Sequence, residues 1–598
     1  MRNAETLLGV IRERGTRGLP LERVYRLLFS PELYLLAYGR LYRNDGALTR
    51  GITTDTVDGM SLAKIDRLID DVRHERHRWT PVRRVNIPKS NGKTRPLGIP
   101  TWTDKLLQEV IRMILEAYYE PQFSPHSHGF RPSHGCHTAL REVYRTWNGT
   151  AWFIEGDISQ CFDSLDHQIL LATLRETIHD NRFIRLIENL LTAGYLEDWK
   201  FTATLSGTPQ GGVVSPILSN IYLDRLDKWI ESTLLPAYTR GTERKYNTTY
   251  TRANARVQKL RRIGQRKEAV ALRKQIRTLP THDPNDPDYR RLRYVRYADD
   301  FLLGFAGPRS EAEEIKARLG EFLRDTLKLE LSKTKTLITH ARTEAARFLG
   351  YEIGTMHDDT RRSINGAISL RVPVAVARAK CEPYMRNGKP VHRPEMEHDS
   401  PYSIVSHYQQ EFRGVVEYYQ LAYNRYRFNR LKWIMGTSLA KTLGHKLRLS
   451  VQQVWKRYGA TTTTSSGTYR VLRVTVDRGG KQAPLVAHWG GISLSRRIGA
   501  FLNDQPKRVW NIRHTELLER VLANTCELCS STVDIEVHHI RHLRDLQRKG
   551  RGELPAWVQK MASRHRKTLV VCSHCHHTIH GGRGVGVSQS QNHHGSSH

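Results

Sequence analysis

The octapeptide RYADDFLL, Arg296 to Leu303, sets two adjacent carboxylates inside an apolar and aromatic stretch. Its flanks, YVRY and FLLGF, read as β-strand, so Asp299 and Asp300 fall at the tip of a hairpin. Two neighbouring anions in a half-buried turn repel each other and lose hydration, which is costly unless a cation compensates. A fold that keeps such a pair has a use for concentrated negative charge.

A third carboxylate, Asp157, ends the strand FIEGD within AWFIEGDISQCF (151–162). Alone, each acidic turn reads as solvated. Together, carboxylates on adjacent strands can hold two Mg²⁺ ions about 3.5–4 Å apart, a clamp for in-line displacement at phosphorus. The ions would offset the repulsion and depress the carboxylate pKa values.

Charge points the same way. Lys and Arg number 94 against 60 Asp and Glu, a formal net charge of +34 over 598 residues. That excess indicates a polyanionic partner, and basic runs throughout the chain favour nucleic acid over a membrane. No run approaches the ~20 apolar residues of a membrane span. The Arg-rich N-terminus carries Glu5, Glu13 and Glu22 and flows into a helical pattern, so it reads as part of the fold. Seven cysteines, four of them in two CxxC pairs, argue against a disulfide framework and for a reducing compartment.

The chain divides by pattern. Residues 1–80 alternate amphipathic helix and turn. Residues 81–101 form a hairpin about SNGK, and Asp104–Tyr119 is a helix with Leu106, Leu107, Val110, Ile111 and Ile114 on one face. A glycine loop, TPQGG, leads into a helix. A basic insertion (240–293) has a helical core from Ala253 to Ile276, solvated or RNA-facing. A helix and the strands KTKTLITH and ARFLGYEI follow the YADD hairpin. Basic, aromatic-rich helix runs from about 370 to 460, and TTTTSSG (461–467) reads as a breaker and boundary. The tail QSQNHHGSSH is low-complexity.

Several blocks occur together: IPKSNGKTRPLGIPT (87–101), FSPHSHGFRP (123–132), DISQCF (157–162), TPQGG (208–212), YADD (297–300) and FLGY (348–351). In order and spacing they resemble reverse transcriptases, most of all group II intron-encoded proteins, over roughly residues 20–355. The resemblance implies an α+β multidomain chain with a right-hand polymerase. An N-terminal helical extension and the start of the fingers would occupy 1–80, and fingers and palm 81–365. A helical thumb, the maturase domain X, would occupy 366–460, a DNA-binding connector 468–515, and a small zinc-containing ββα-metal HNH domain 520–585. A disordered tail would follow at 586–598.

By the same resemblance Asp157, Asp299 and Asp300 bind Mg²⁺, with Ile158 lending a backbone carbonyl. Phe162 packs under the sugar of the incoming nucleotide and excludes a 2′-hydroxyl. Gln210 bridges nucleotide and template, Gly211 and Gly212 let backbone approach the substrate, and Lys89, Arg95 and Arg83 bind the triphosphate. Implied partners are group II intron RNA, a double-stranded DNA target and dNTPs, with no membrane. The implied setting is bacterial cytoplasm beside the nucleoid, or an organelle. The tyrosine pair Tyr418-Tyr419 in domain X suits helix core better than an RNA platform.

At the C-terminus, CELC (526–529) and CSHC (572–575) offer four thiolates for a tetrahedral structural Zn²⁺ site, through Cys526, Cys529, Cys572 and Cys575. EVHHI (536–540) lies between them, and HHTIH follows, with His576 and His580 four apart on one helix face. This resembles an HNH nuclease. It implies His539 as general base and His538, His576 and His580 as ligands of one divalent ion. His577 is the nearest competitor, and Lys567 stands where many such units carry Asn.

Three functions compete on these residues. The first is a mobile-intron protein that copies intron RNA from a DNA primer, assists splicing and cuts the second DNA strand. A splicing-only maturase with an inactive polymerase is opposed by the complete Asp157, Asp299, Asp300 and TPQGG set. A retron-type enzyme is opposed by the domain X and nuclease patterns.

Overall fold

The computed structural model describes residues 3–581 apart from 45, 89–91, 93, 198–199, 203–210, 285, 333, 359–361, 466, 478–482, 500–515, 542–545, 547–553 and 565. Lys89, Gln210 and the 586–598 tail therefore lie outside the described residues.

A five-stranded sheet runs Leu337–His340, Trp152–Asp157, Asp300–Ala306, Arg291–Tyr297 and Ser127–His128 in spatial order. Its strands alternate between two cores. Ile154, Tyr294, Phe301, Leu303 and Phe305 face the helices Trp102–Tyr119, Ser215–Trp229 and Arg309–Leu327. Phe153, Val295 and Leu302 face a second core with Leu140, Val143, Trp147 and the helical region beyond residue 400. Burial on both faces explains why FLLGF is apolar without a break. Gly156 pairs with Phe301, and a Cβ at 156 would come within 2.0 Å of that ring.

Beside this sheet stands a four-stranded one, Thr94–Ile99, Val82–Pro88, Tyr195–Glu197 and Lys200–Thr202. The helix expected from Asp104 begins at Trp102, because the Thr101 side chain accepts from the Asp104 N–H and caps it. The basic insertion is two helices, Thr248–Arg262 and Arg266–Ile276, rather than one. Gly264, at φ +80°, makes the break, and Val257, Ala269 and Ile276 form a small private core. ARFLGYEI is likewise two strands, Ala346–Phe348 and Tyr351–Thr355, joined at Leu349 and Gly350 with φ of 48° and 72°.

Helices Pro401–Tyr418, Phe428–Leu447 and Val451–Tyr458 follow, the last opened by a Ser450/Gln453 capping box. TTTTSSG is not a break. Its β-branched threonines form the strand Gly459–Thr464, which pairs with Gly467–Val476, and that strand pairs with Leu485–Trp489. The Gln409 amide bonds the Gly490 backbone in both directions at 2.9 Å and fixes this sheet to helix Pro401–Tyr418. Tyr418 and Tyr419 donate to the carbonyls of Leu349 and Gly350, at 2.8 and 3.1 Å. Both rings thus clamp the helical region to the FLGY turn.

The C-terminal unit pairs strands Ile535–His539 and Thr568–Cys572 antiparallel and follows them with helix Ser573–His580. Leu517, Leu518 and Val521 of helix Glu516–Leu522 join the same core as Leu33, Ala37 and Tyr38 of helix Pro31–Leu41. An N-terminal helix and the C-terminal unit are therefore packed together.

Candidate functional site

The register of the central sheet sets Asp300 directly opposite Asp157, 143 positions earlier in the chain. Asp299 adjoins them in the hairpin turn, where Ala298 has a left-handed φ of 55°. A non-glycine residue there carries strain of about 1 kcal/mol or more and persists only when neighbours over-determine it. They do. The Ala298 N–H donates to the His128 carbonyl at 3.0 Å, and the Ala298 carbonyl accepts from Arg296 Nη1 at 2.8 Å. The His128–Gly129 segment of the FSPHSHGFRP block thus lies under the turn.

Arg296 is wholly buried. Its guanidinium bonds Asp227 through both carboxylate oxygens at 2.8 and 2.6 Å, and also Ser127 Oγ at 2.6 Å and Asn220 Oδ1 at 3.2 Å. Tyr294 donates to Asp227 at 2.6 Å. Every donor direction of the fork is used, as a buried charge requires.

Burial raises the carboxyl groups of Asp299 and Asp300, and mutual repulsion adds to it. Asp300 is pushed up to about 6 by burial, Asp299 and Asp157. Asp299 is raised by burial and by Asp157, against the opposing pull of Arg95 and Lys335. Lys335 Nζ sits 2.9 Å from both oxygens of Asp157. One ammonium and a nearby guanidinium face three carboxylates, so the donor set is anionic and oxygen-only, which suits hard divalent cations.

The nucleotide-binding expectations divide. Arg95 reaches the carboxylates electrostatically from the strand Thr94–Ile99. Arg83 lies lower on the partner strand, held to the Arg50 carbonyl at 3.1 and 2.8 Å. Gly211, at φ 107°, packs on the Thr94–Ile99 strand, where a Cβ would come within 2.5 Å of the Gly98 carbonyl. Ile158 is buried, leaving its carbonyl as the group it can offer. The Phe162 ring meets Phe130 edge-on at 6.4 Å. Sequence reasoning missed Phe130, which is half exposed at a left-handed φ of 56°, and also Lys335.

In the C-terminal unit the sulfurs of Cys526, Cys529, Cys572 and Cys575 lie within 4.8 Å of one another. Burial disfavours the Cys526 thiolate, but N–H bonds from Cys529, Cys572 and Leu528 outweigh it and lower this thiol to about 7. The set suits tetrahedral Zn²⁺.

His538, His576 and His580 converge, joined by Asp58, which sequence reasoning missed. His577 and His574 are exposed on the helix and outside this group. His576 Nδ1 lies 2.7 Å from Glu536 Oε2, which leaves Nε2 toward the cluster. His538 is buried, its Nδ1 lies 3.4 Å from Asp58 Oδ1, and a metal ion on that nitrogen would give it a closer partner than it has among the described residues. His539 holds Val537 O by Nδ1 at 3.2 Å, and burial pushes it down to about 4, so at neutral pH it is a free base at Nε2. Lys567, in the slot expected for Asn, accepts the Ile540 N–H by its carbonyl at 3.0 Å.

Comparison with known proteins follows the same three divisions. The reverse transcriptase (RNA-dependent DNA polymerase) family matches residues 87–353. The type II intron maturase family matches 375–482, and the AI2M/AI1M-like HNH endonuclease family matches 526–576. The chain is 36% identical to the group II intron-encoded protein LtrA of Lactococcus lactis subsp. cremoris, over 93% of this chain and 96% of that one. It is 32% identical to a COX1/OXI3 intron 1 protein of Saccharomyces cerevisiae, over 93% of this chain and 68% of the other. Among solved structures, a telomerase from Candida albicans matches at a TM-score of 0.32 and 11% identity, covering 64% of this chain and 65% of that one, too slight to bear weight. No helix among the described residues is long and apolar enough to cross a membrane. The chain belongs to the group II intron-encoded proteins and unites reverse transcriptase, maturase and HNH endonuclease in one polypeptide.

Proposed function

We propose that Asp157, Asp299 and Asp300, with the Ile158 carbonyl, hold the divalent ions of a DNA polymerase that copies intron RNA. The observation that carries this is the in-register pairing of Asp157 with Asp300 beside a turn clamped from below by Arg296. When bound, such ions supply Lewis-acid activation and charge neutralisation at phosphorus, in both the polymerase and the nuclease. The chain's own residues do the rest. Arg95, on the strand Thr94–Ile99, and Lys89 neutralise the triphosphate, with Arg83 supporting the base of the hairpin. Gln210 and Gly211 meet the nucleotide and template. Phe162, braced by Phe130, fills the space a 2′-hydroxyl would need. The double-sided central sheet is the palm, and the thumb begins at 366. The 459–489 sheet, packed on the thumb helix Pro401–Tyr418, extends it past the 460 limit read from sequence.

The maturase surface binds intron RNA. Tyr423, Tyr426 and Trp433 stand exposed among Arg427, Arg430 and Lys432, rings for stacking beside charges for phosphates. The connector beyond 489 and the HNH unit contact duplex DNA. There the Cys₄ set holds structural Zn²⁺, and His538, His576 and His580 hold one divalent ion. His539 Nε2 takes the proton of the attacking water. In sequence, intron RNA inserts into one strand, the nuclease cuts the other, and the palm extends the new 3′ end, in bacterial cytoplasm at the nucleoid or in an organelle.

His539→Ala tests the nuclease assignment. It should abolish nicking of target DNA while zinc content and primer extension on an RNA template stay at wild-type levels. Retained nicking would assign the base to another residue.

A further inference from the structure

Asp58 comes from the N-terminal extension, yet its carboxylate stands among the three nuclease histidines. Its Oδ2 is 2.9 Å from His580 Nε2, and its Oδ1 is 3.2 Å from His576 Nε2 and 3.4 Å from His538 Nδ1. The two Nε2 atoms are themselves 3.2 Å apart. Ligands about 2.0–2.1 Å from a tetrahedral ion lie about 3.3 Å from one another. The Asp58 Oδ1–His576, Asp58 Oδ1–His538 and His576–His580 separations match that spacing, while Oδ2 faces His580, so the four side chains would fit around one such ion.

The carboxylate is held there by backbone. Gly59 N–H donates to the Val537 carbonyl, and Val537 N–H donates to the Met60 carbonyl, each at 2.9 Å. The His539 N–H donates to Asp58 Oδ1 at 2.8 Å. Residues 58–60 thereby pair with the strand Ile535–His539. Gly59, at φ +74°, supplies the left-handed turn between Asp58 and Met60 and lies beside the His576 ring. On the other flank, Tyr38 OH is 3.3 Å from His539 Nε2, and the Tyr38 and Tyr42 rings pack edge-on against that imidazole.

We propose that Asp58 is the fourth ligand of the nuclease ion and occupies the coordination position that the scissile phosphate must take. Catalytic sites keep one position open, whereas four protein ligands close the shell. In the docked arrangement Asp58 would therefore close the site, and a DNA phosphate would have to take its place. A cavity of about 760 Å³ borders His539, next in the chain to the ligand His538, and offers a basic approach for DNA. It is lined by Arg43, Arg520, Arg541, Arg566 and Lys567 against one carboxylate, Glu516. The proposal rests on the reading of His538, His576 and His580 as ligands.

The test uses the zinc-loaded full chain and cobalt(II), whose visible absorption is strong in tetrahedral sites and lacks thiolate bands when nitrogen and oxygen bind it. Wild type should bind one such ion. Asp58→Ala should weaken that binding roughly tenfold or more and alter the spectrum. The same variant should nick supercoiled plasmid faster than wild type when no intron RNA is present. Asp58→Asn keeps an acceptor for the His539 N–H, and hence the docking, but is a poorer ligand, so it should change in the same direction with an unshifted melting temperature. Unchanged cobalt binding in Asp58→Ala would overturn the proposal, and so would weakened binding accompanied by loss of nicking. His576→Ala must abolish the cobalt signal in either case; if it does not, the histidine site itself is misassigned, a failure distinct from that of Asp58.

Discussion

Asp299→Ala is expected to lower primer extension on an RNA template by roughly a thousandfold, the loss seen when a group organising transition-state charge is removed. RNA binding should not be weakened, because the carboxylate contributes no attraction to phosphate. The cation-free protein should show a second, opposite effect. Asp300 has its carboxyl raised to about 6 by burial and by the charges of Asp299 and Asp157. A carboxyl raised above its unfolded value of about 3.9 binds more protons in the folded state than in the unfolded one between those pH values. Stability therefore falls as pH rises through about 4 to 6 and stays lowered above. In divalent-free buffer, Asp300→Asn should raise the melting temperature at pH 7 and leave it unmoved at pH 3.5, and Mg²⁺ should stabilise wild type more than the variant. A melting temperature at pH 7 that falls in Asp300→Asn would contradict the crowded-anion account.

The largest expected loss of stability belongs to the pair beneath the turn. Asp227→Ala leaves the wholly buried Arg296 guanidinium without its two shortest carboxylate bonds and frees the Tyr294 hydroxyl. Removing one member of a buried ion pair costs about 3–5 kcal/mol, because the survivor remains desolvated and uncompensated. Arg296→Met removes the other member and also releases the Ala298 carbonyl, so the strained turn loses a restraint. Thermal unfolding should show both single variants strongly destabilised and the double variant less so than their sum. Polymerase activity should not return in any variant lacking Arg296, since the carboxylates ride on the turn it holds. Additive losses in the double variant would mean that the two side chains are energetically independent.

The sequence made the carboxylates readable because their signal is local: period-two patterning, a tight turn and an acidic pair in an apolar frame. Arg296 was not readable, being one of three arginines in the strand Arg291–Tyr297 with its partner on the distant LDRLDKW helix. Lys335 and Phe130 gave no local sign. Lys335 meets Asp157 across 178 positions, and its role exists only once the sheet has formed. Asp58 sits in TDTVDGM, which reads as an ordinary polar turn, and meets His580 across 522 positions. TTTTSSG was misread for a different reason. Its serines and glycine suggest a break, while its threonines, β-branched, prefer a pleated surface, and packing against the neighbouring helix favoured the latter.

The apolar contact between helix Pro31–Leu41 and helix Glu516–Leu522 bears on how the polypeptide is made. Tyr38 meets a partner 501 residues later. At translation rates of roughly 5–20 residues per second, that helix leaves the ribosome on the order of half a minute or more before its cover exists. During that interval the nascent chain carries an uncovered apolar flank, a surface of the kind that shielding by chaperones would protect until helix Glu516–Leu522 is made.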